Sequence, residues 1–225
     1  MSENRCKVHL IDGVFYDLWA PSGPVPAPAT IAYGLAHLCR YGGHTKRFYS
    51  VAEHTIWCAL RLATAGLKSE DFMSMADHLG DGHAPVTVFT SPWITPENVR
   101  LALLGLIHDA PEGCGLVDVP GPILRHEEMI PYKQAHVRCY DWLSKGWGIE
   151  LPTISVHEVV KKVDTDILGA EMAIRPLGAR DGNGENLPQW EGFNLASKHN
   201  LAQYGTRHVA EVWLAVFTVL KGRLS

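Results

Sequence analysis

Apolar residues at helical spacing are the feature of this sequence that most constrains its fold. Between positions 155 and 175 they recur every three or four residues, as on one face of a helix: Val156, Val159, Val160, Val163, Ile167, Ala170 and Ile174. Comparable patterns predict helices over about 50–65, 95–112, 126–146, 155–175 and 196–221. Strand signals are weak, with Val86 to Phe89 as a short candidate. The sequence therefore predicts an all-α protein.

Capping signals mark the start of two of these helices. Ser50 and Glu53 form a capping box, in which the serine oxygen accepts a hydrogen bond from the glutamate amide. Thr95 precedes a proline at the first helical position, which is a typical helix start. We expect this second helix to continue through His108-Asp109 as far as position 111 or 112.

The chain is predicted to form a single domain over 1–225, because this length suffices for a core of its own. Residues 1–30 are rich in proline, which breaks regular helices, and are expected to be an extended lead-in that packs on the domain. Segments 66–94 and 176–195 are interpreted as insertions between helices. The second contains Asp181-Gly182-Asn183-Gly184, which is typical of a loop.

Composition disfavours several classes of protein. The formal net charge is −4 and there is no run of Lys or Arg, so nucleic acid is not an expected partner. No apolar stretch reaches the roughly 18 residues of a membrane span, and the polar first residues do not predict a signal peptide. The five cysteines are widely spaced and lack a C-x-x-C pair, as in reduced cytosolic proteins. We expect a cytoplasmic protein without a membrane partner.

Four polar side chains fall on or beside faces that should be buried. His54 lies on the apolar stripe of the first predicted helix and Asp164 on that of a later one. His108 and Asp109 follow a run that is nearly all apolar. A bare carboxylate in such surroundings is costly, and it is tolerated mainly when paired or bound to a metal. Two imidazoles and two carboxylates together suit a divalent metal.

Each of these side chains also has a simpler explanation when taken alone. A histidine on an apolar helix face is more often a hydrogen-bonded core residue than a metal ligand. Asp164 can pair with Lys161 or Arg175 on its own helix. Only the four residues together favour a metal site over these alternatives.

Four short motifs carry a resemblance to a known family. They are Arg40-Tyr41-Gly42-Gly43-His44, Tyr49-Ser50-Val51-Ala52-Glu53-His54, Leu106-Ile107-His108-Asp109-Ala110-Pro111-Glu112 and Val160-Lys161-Lys162-Val163-Asp164. In this order, between Gly34 and Arg175, they resemble the HD-domain phosphohydrolases. The similarity is greatest to the branch that contains the bacterial 5′-deoxynucleotidase and the phage dATP triphosphohydrolase. The separated set of a histidine, a His-Asp pair and an aspartate is the specific part of this resemblance.

The resemblance implies a helical HD-domain bundle and a role for each matching residue. The residues that would bind one divalent metal (Co, Mn, Zn, Fe or Mg in the family) are His54, His108, Asp109 and Asp164. Glu112 matches the acidic residue after the His-Asp pair, and it would orient the attacking water or protonate the leaving oxygen. Asp118 resembles a second catalytic carboxylate, although the stretch between it and Glu112 is longer than in the family.

The resemblance also places substrate-binding residues in and after the first motif. Arg40 matches a phosphate-binding arginine, whose planar fork suits a phosphate; a surface arginine before a glycine turn is the alternative. Tyr41 falls where relatives place an aromatic near the sugar and base, and Gly43 leaves the base side uncrowded. Lys46 and Arg47 are second choices for phosphate contact.

The expected activity is metal-dependent hydrolysis of a phosphate ester of a (deoxy)nucleotide. The products would be a nucleoside and phosphate from a dNMP, or a nucleoside and triphosphate from a dNTP such as dATP. One alternative is a phosphodiesterase of cyclic or signalling nucleotides, which often has a second metal set for which the sequence shows no convincing motif. The other is a degenerate HD domain that only binds nucleotides. By resemblance we also expect a homo-oligomer and a role in a phage nucleotide pool, in the host cytoplasm.

Overall fold

A computed structural model describes residues 7–45, 48–66, 84–174 and 205–225. Within them the protein is mostly helical, and no closed sheet is present. The helices are α1 Pro28–His37, α2 Val51–Ala63, α3 Ala84–Thr90, α4 Pro96–Ile107, α5 Ala110–Gly113, α6 Gly121–Leu124, α7 Ile130–Gly146, α8 Ile154–Ile174 and α9 Thr206–Arg223. Short 3₁₀ segments span Arg40–Gly43 and Glu127–Met129. The predicted all-α class is confirmed.

The lead-in contains a small hairpin that the sequence does not predict. Strand β1 (Lys7–His9) pairs antiparallel with β2 (Phe15–Asp17). Asp12 supports the turn, because its carboxylate accepts hydrogen bonds from the Val14 amide at 3.0 Å and the Tyr16 hydroxyl at 2.9 Å. This hairpin accounts for both strands of the described residues, which are otherwise mostly helical.

The rest of the lead-in lies against α7, as predicted for an extended segment. The indole nitrogens of Trp142 and Trp147 donate hydrogen bonds to the carbonyl oxygens of Gly23 and Pro26, both at 3.0 Å. The lead-in is shorter than predicted, since α1 begins inside it at Pro28. Proline is well tolerated there because the first helical position needs no intrahelical N–H donor.

The two capping signals mark true helix starts. Ser50 Oγ accepts a hydrogen bond from the Glu53 amide at 3.1 Å at the start of α2. Thr95 Oγ1 accepts one from the Asn98 amide at 3.2 Å at the start of α4. The predicted helices over 126–146 and 155–175 correspond to α7 and α8.

The predicted end of α4, at position 111 or 112, is wrong. The helix ends at Ile107, and His108 and Asp109 form a turn before the short helix α5. Pro111 explains the break, because it has no N–H for the carbonyl four residues earlier and its ring would clash with that carbonyl. The His-Asp pair therefore lies at a corner of the backbone.

The predicted strand at Val86–Phe89 is also wrong, since these residues lie in helix α3. Val88 and Phe89 are buried, and α3 packs against α9, so tertiary packing overrides the β-propensity of the segment. Of the predicted insertions, residues 67–83 and all of 176–195 lie outside the described residues. So does the start of the fifth predicted helix, 196–204.

Helix α2 lies at the centre of the fold. All of its residues except Arg61 are buried, and it packs against α1, α4, α8 and α9. The contact with α4 is close at Gly105, where an added Cβ would overlap a methyl group of Leu62. Polar residues of α2 are therefore enclosed by other helices and must find partners on them.

Helices α1 and α5 touch through two glycines. A Cβ at Gly34 would overlap the carbonyl oxygen of Gly113, and a Cβ at Gly113 would lie 2.8 Å from the carbonyl oxygen of Ile31. These neighbours are backbone atoms and cannot rotate away as a side chain would. The contact holds α5, and with it the segment after the His-Asp pair, against α1.

We expect Gly34→Ala to lower the free energy of unfolding by about 1–3 kcal/mol, the usual cost of overpacking. Helix propensity alone predicts the opposite sign, a gain of up to about 1 kcal/mol. Gly222→Ala in α9 is the matched control, because a Cβ there meets nothing within 4 Å. Urea denaturation followed by circular dichroism measures both, and equal stabilisation by the two changes would contradict the close contact.

Candidate metal centre

The four residues predicted to bind a metal lie together where three segments meet. His54 comes from α2, His108 and Asp109 from the turn after α4, and Asp164 from α8. His54 Nε2 lies 3.1 Å from Asp164 Oδ1 and 3.9 Å from Asp109 Oδ2. His108 Nε2 lies 3.2 Å from Asp109 Oδ2 and 3.8 Å from Asp164 Oδ1. The four donor atoms thus form a closed ring, in which each imidazole lies between the same two carboxylates.

The dimensions of this donor ring suit one divalent cation. Donors bound at about 2.1 Å lie about 3.0–3.4 Å apart when bond angles run from 90° to tetrahedral. The distances of 3.1 and 3.2 Å fall in that range, and those of 3.8 and 3.9 Å exceed it slightly. His108 Nε2 is also buried without a hydrogen-bond partner among the described residues. The donor set and its spacing are compatible with a metal site.

Both imidazoles are oriented by a partner on their other nitrogen. His108 Nδ1 lies 2.7 Å from the Gly105 carbonyl oxygen, so Nδ1 carries the proton and donates it. His54 Nδ1 lies 2.7 Å from Glu171 Oε1 and is held in the same way. In each ring Nε2 is then left to face the other donors, which is the usual arrangement of metal-binding histidines.

A thiol adjoins the donor ring. Cys58 is buried, and its Sγ lies 3.5 Å from His54 Nε2. One possible ligand group, with all donor atoms within 4.8 Å of one another, consists of His54, Cys58, His108 and Asp164. The sequence alone places Cys58 only on an apolar stripe. Its position four residues after His54 is the signal that would have indicated it, since residues at this spacing lie side by side on a helix.

Glu171 is the main site residue that the sequence does not predict. It lies in α8 and is fully buried. Its Oε1 accepts hydrogen bonds from the Tyr49 hydroxyl at 2.5 Å and from His54 Nδ1, and its Oε2 accepts one from the Tyr41 hydroxyl at 2.5 Å. Arg40 Nε lies 3.6 Å from Oε2. The signal in the sequence is an acid two helical turns after Asp164, on the same face.

Protons and a cation would compete for the donor ring. Burial alone would lower the pKa of His54 and His108. Neighbouring anionic groups have the larger, opposite effect, so the pKa of both histidines lies well above the usual value. Burial raises the pKa of Asp109 and Asp164, but the adjacent histidines hold it well below the usual range. The ring is therefore a strongly anionic environment that stabilises positive charge on its imidazoles. A bound divalent cation would replace that positive charge.

The two predicted catalytic carboxylates lie beside the donor ring. Glu112 is in α5, and its Oε2 is buried without a hydrogen-bond partner in the described part of the chain. Burial and the charges of Asp109 and Asp118 raise its pKa well above the usual value. Asp118 lies on the loop after α5, where its Oδ2 accepts a hydrogen bond from the Tyr41 amide at 3.3 Å.

Arg40 is buried at the edge of the donor ring, with an exposed fraction of only 7%. Its Nη1 lies 3.5 Å from Asp109 Oδ2, and its guanidinium lies 5.5 Å from the centre of the Tyr41 ring. Its Nε has no hydrogen-bond partner among the described residues. This burial contradicts the alternative of a surface arginine before a glycine turn.

The remaining predicted substrate residues follow Arg40. Tyr41 has φ 57° and ψ 28°, a left-handed conformation that is uncommon outside glycine, and its hydroxyl points at the buried carboxylate of α8. Gly43 has φ 82°, and a Cβ there would meet nothing within 4 Å, so the space beside it is open. Lys46 and Arg47 lie outside the described residues.

No protein-family model matches the chain. A similar protein is the one named "Uncharacterized protein YfdR" of Escherichia coli strain K12, which is 28% identical over 170 residues. That stretch covers 73% of this chain and 71% of YfdR, whose name states no activity. Separately, no helix in the described ranges is long and apolar enough to cross a membrane.

We expect Glu171→Gln to weaken Co²⁺ binding by about 10–100-fold, as loss of a partner that orients a metal-binding histidine does. Glutamine keeps the size of the side chain but replaces one acceptor oxygen by an NH₂ group. Glu158→Gln, at an exposed position of the same helix, is the matched control. Isothermal titration calorimetry on protein stripped of metal measures both. A folded Glu171→Gln protein with the affinity of the control would show that Glu171 does not act on the site.

Proposed function

We propose that this protein is a metal-dependent phosphohydrolase of nucleotides. The observation that carries the proposal is the closed ring of two imidazoles and two carboxylates, drawn from α2, the turn after α4, and α8. The resemblance of these residues to the ligand set of the HD-domain phosphohydrolases supplies the reaction class. The cation would be held by His54, His108, Asp109 and Asp164, with Cys58 as a further neighbouring donor.

A bound divalent cation supplies a Lewis acid for a phosphoryl oxygen and lowers the pKa of a nearby water. The chain itself supplies positive charge through Arg40, which lies beside Asp109. The guanidinium has five N–H donors, and only those on Nη1 and Nε lie near Asp109 and Glu171, so it retains others for a phosphate oxygen. Its burial strengthens this interaction, since charges attract more strongly where water is excluded.

Glu112 and Asp118 are the groups of the chain that would move the proton. Burial and Asp109 raise the pKa of Glu112, which favours the protonated form of its carboxyl group. A carboxyl group of raised pKa can accept a proton from the attacking water or give one to the leaving oxygen. Asp118 accepts a hydrogen bond from the Tyr41 amide, its charge raises the pKa of Glu112, and it would share this role.

The turn after Arg40 is the part of the site that would receive the nucleoside. Tyr41 presents an aromatic ring under the Arg40 guanidinium, and open space lies beside Gly43. A nucleoside whose phosphate lies at Arg40 would extend along this turn. In the described part of the turn, a Cβ at Gly43 would meet nothing within 4 Å, so there is room for a base. The proposal includes both monophosphate and triphosphate substrates.

The experiment that tests the proposed function is a release assay over all dNMPs and dNTPs with Mn²⁺, Co²⁺, Mg²⁺ or Zn²⁺. Release of phosphate or of triphosphate that requires the metal would support the proposal and choose between its two forms. Cyclic nucleotides are included, because hydrolysis of these alone would favour a phosphodiesterase. Metal-independent nucleotide binding without turnover would favour a binding module and overturn the proposal.

We expect Asp164→Ala to abolish metal-dependent turnover, because it removes one donor of the ring. Its affinity for Co²⁺ should fall by more than the roughly 10–100-fold that loss of an orienting partner costs. Asp166→Ala, two residues along α8, is the control; its carboxylate is partly exposed and pairs with Lys162 at 3.1 Å. Turnover and Co²⁺ titration are measured on both. Full activity in a folded Asp164→Ala protein would exclude this metal site.

A further inference from the structure

A second group of donor atoms adjoins the ring. It consists of Asp109, Glu112 and His136, whose ligand atoms all lie within 4.8 Å of one another. His136 comes from α7, which packs against α5 and so faces Glu112. Asp109 belongs to this group and also to the ring. We propose that the second group binds a second divalent cation, with the Asp109 carboxylate shared between the two cations.

Two of the three side chains have a donor or acceptor atom without a hydrogen bond to any described residue. Glu112 Oε2 is fully buried and has no hydrogen-bond partner among the described residues. The His136 ring is partly buried, and it too makes no hydrogen bond within the described part of the chain. Buried polar atoms are normally satisfied, so an orphaned carboxylate oxygen next to an unengaged imidazole indicates a ligand between them. A cation satisfies both, because each group offers a lone pair and neither needs to donate.

The balance of charge around the two groups favours a second cation. The carboxylates in and beside the two groups are Asp109, Glu112, Asp118, Asp164 and Glu171. Among the described residues, the positively charged side chains beside them are Arg40 and Lys161. With one divalent cation in the ring, these described charges are neutral when Glu112 is protonated and net negative when it is ionised, so an anionic phosphate gains no net attraction. Two divalent cations make it net positive, so substrate binding would be favoured.

The donors also indicate the kind of cation. Two carboxylates and one imidazole suit Mn²⁺, Mg²⁺, Fe²⁺ or Zn²⁺, and the three protein donors leave positions for water or a phosphate oxygen. Paired cations in phosphoryl-transfer sites lie about 3.5–4 Å apart and can stabilise both the attacking and the leaving oxygen. The role in hydrolysis rests on the proposed function, whereas occupancy of the second group can be measured without any turnover. With Oε2 of Glu112 on the cation, transfer of the proton would fall mainly to Asp118.

The test counts bound Mn²⁺ in the full chain. Protein stripped of metal is titrated with Mn²⁺ by calorimetry, and electron paramagnetic resonance is recorded at saturation. We expect two Mn²⁺ per chain and an exchange-coupled signal, because a shared carboxylate links the two ions. His136→Ala should bind one Mn²⁺ and lose the coupling, and His136→Phe, which keeps a ring but has no donor atom, should do the same. His157→Ala, at an exposed position of α8, is the control and should retain both ions.

The outcomes separate this inference from the proposed function. One Mn²⁺ in the unmodified chain, with metal-dependent turnover intact, would overturn the second site and leave the first. Two Mn²⁺ in folded His136→Ala and His136→Phe proteins would overturn the assignment to His136. Coupled ions without any hydrolysis of nucleotides would support the second site and overturn the proposed function instead.

Discussion

The close contact between α2 and α4 is the interaction on which the site depends. At Gly105 an added Cβ would lie only 3.5 Å from backbone atoms of Cys58 and Ala59, so the two helices approach almost backbone to backbone. This approach brings the rings of His54 and His108 to 5.5 Å in an edge contact. The carbonyl of the same glycine orients one of these rings. A larger residue at position 105 would push α2 and α4 apart and so separate His54 from His108.

An apolar bundle makes charge expensive, and the arrangement of this site follows from that cost. Glu171 is stable in the core because donors from three separate parts of the chain converge on it, namely Tyr41, Tyr49 and His54. These hydrogen bonds fix α8 relative to α2 and to the segment that precedes α2. The donors of the candidate metal centre are thus positioned by the same contacts that satisfy the buried carboxylate. Structure and candidate function share one network.

Local signals in the sequence predict local structure well here, and contacts between segments poorly. The caps at Ser50 and Thr95 act within one turn, so the starts of α2 and α4 are predicted correctly. Pro111 also carries a local signal, which predicts the break in α4 once its missing N–H is considered. Glu171 and His136 join the site only through the packing of α8 and α7, which no periodicity specifies. The four ring donors are predictable because each conflicts with its apolar surroundings.

The wide separation of the ring donors along the chain has a consequence for folding. His54 and Asp164 are 110 residues apart in sequence, yet His54 Nε2 lies 3.1 Å from Asp164 Oδ1 in the folded protein. An unfolded chain rarely brings such distant residues together, so a cation that needs both binds the native state almost exclusively. At a free concentration 100 times its dissociation constant it would add about 2.7 kcal/mol to the free energy of unfolding. The metal would then act as a removable cross-link, and metal supply would set part of the stability of the fold.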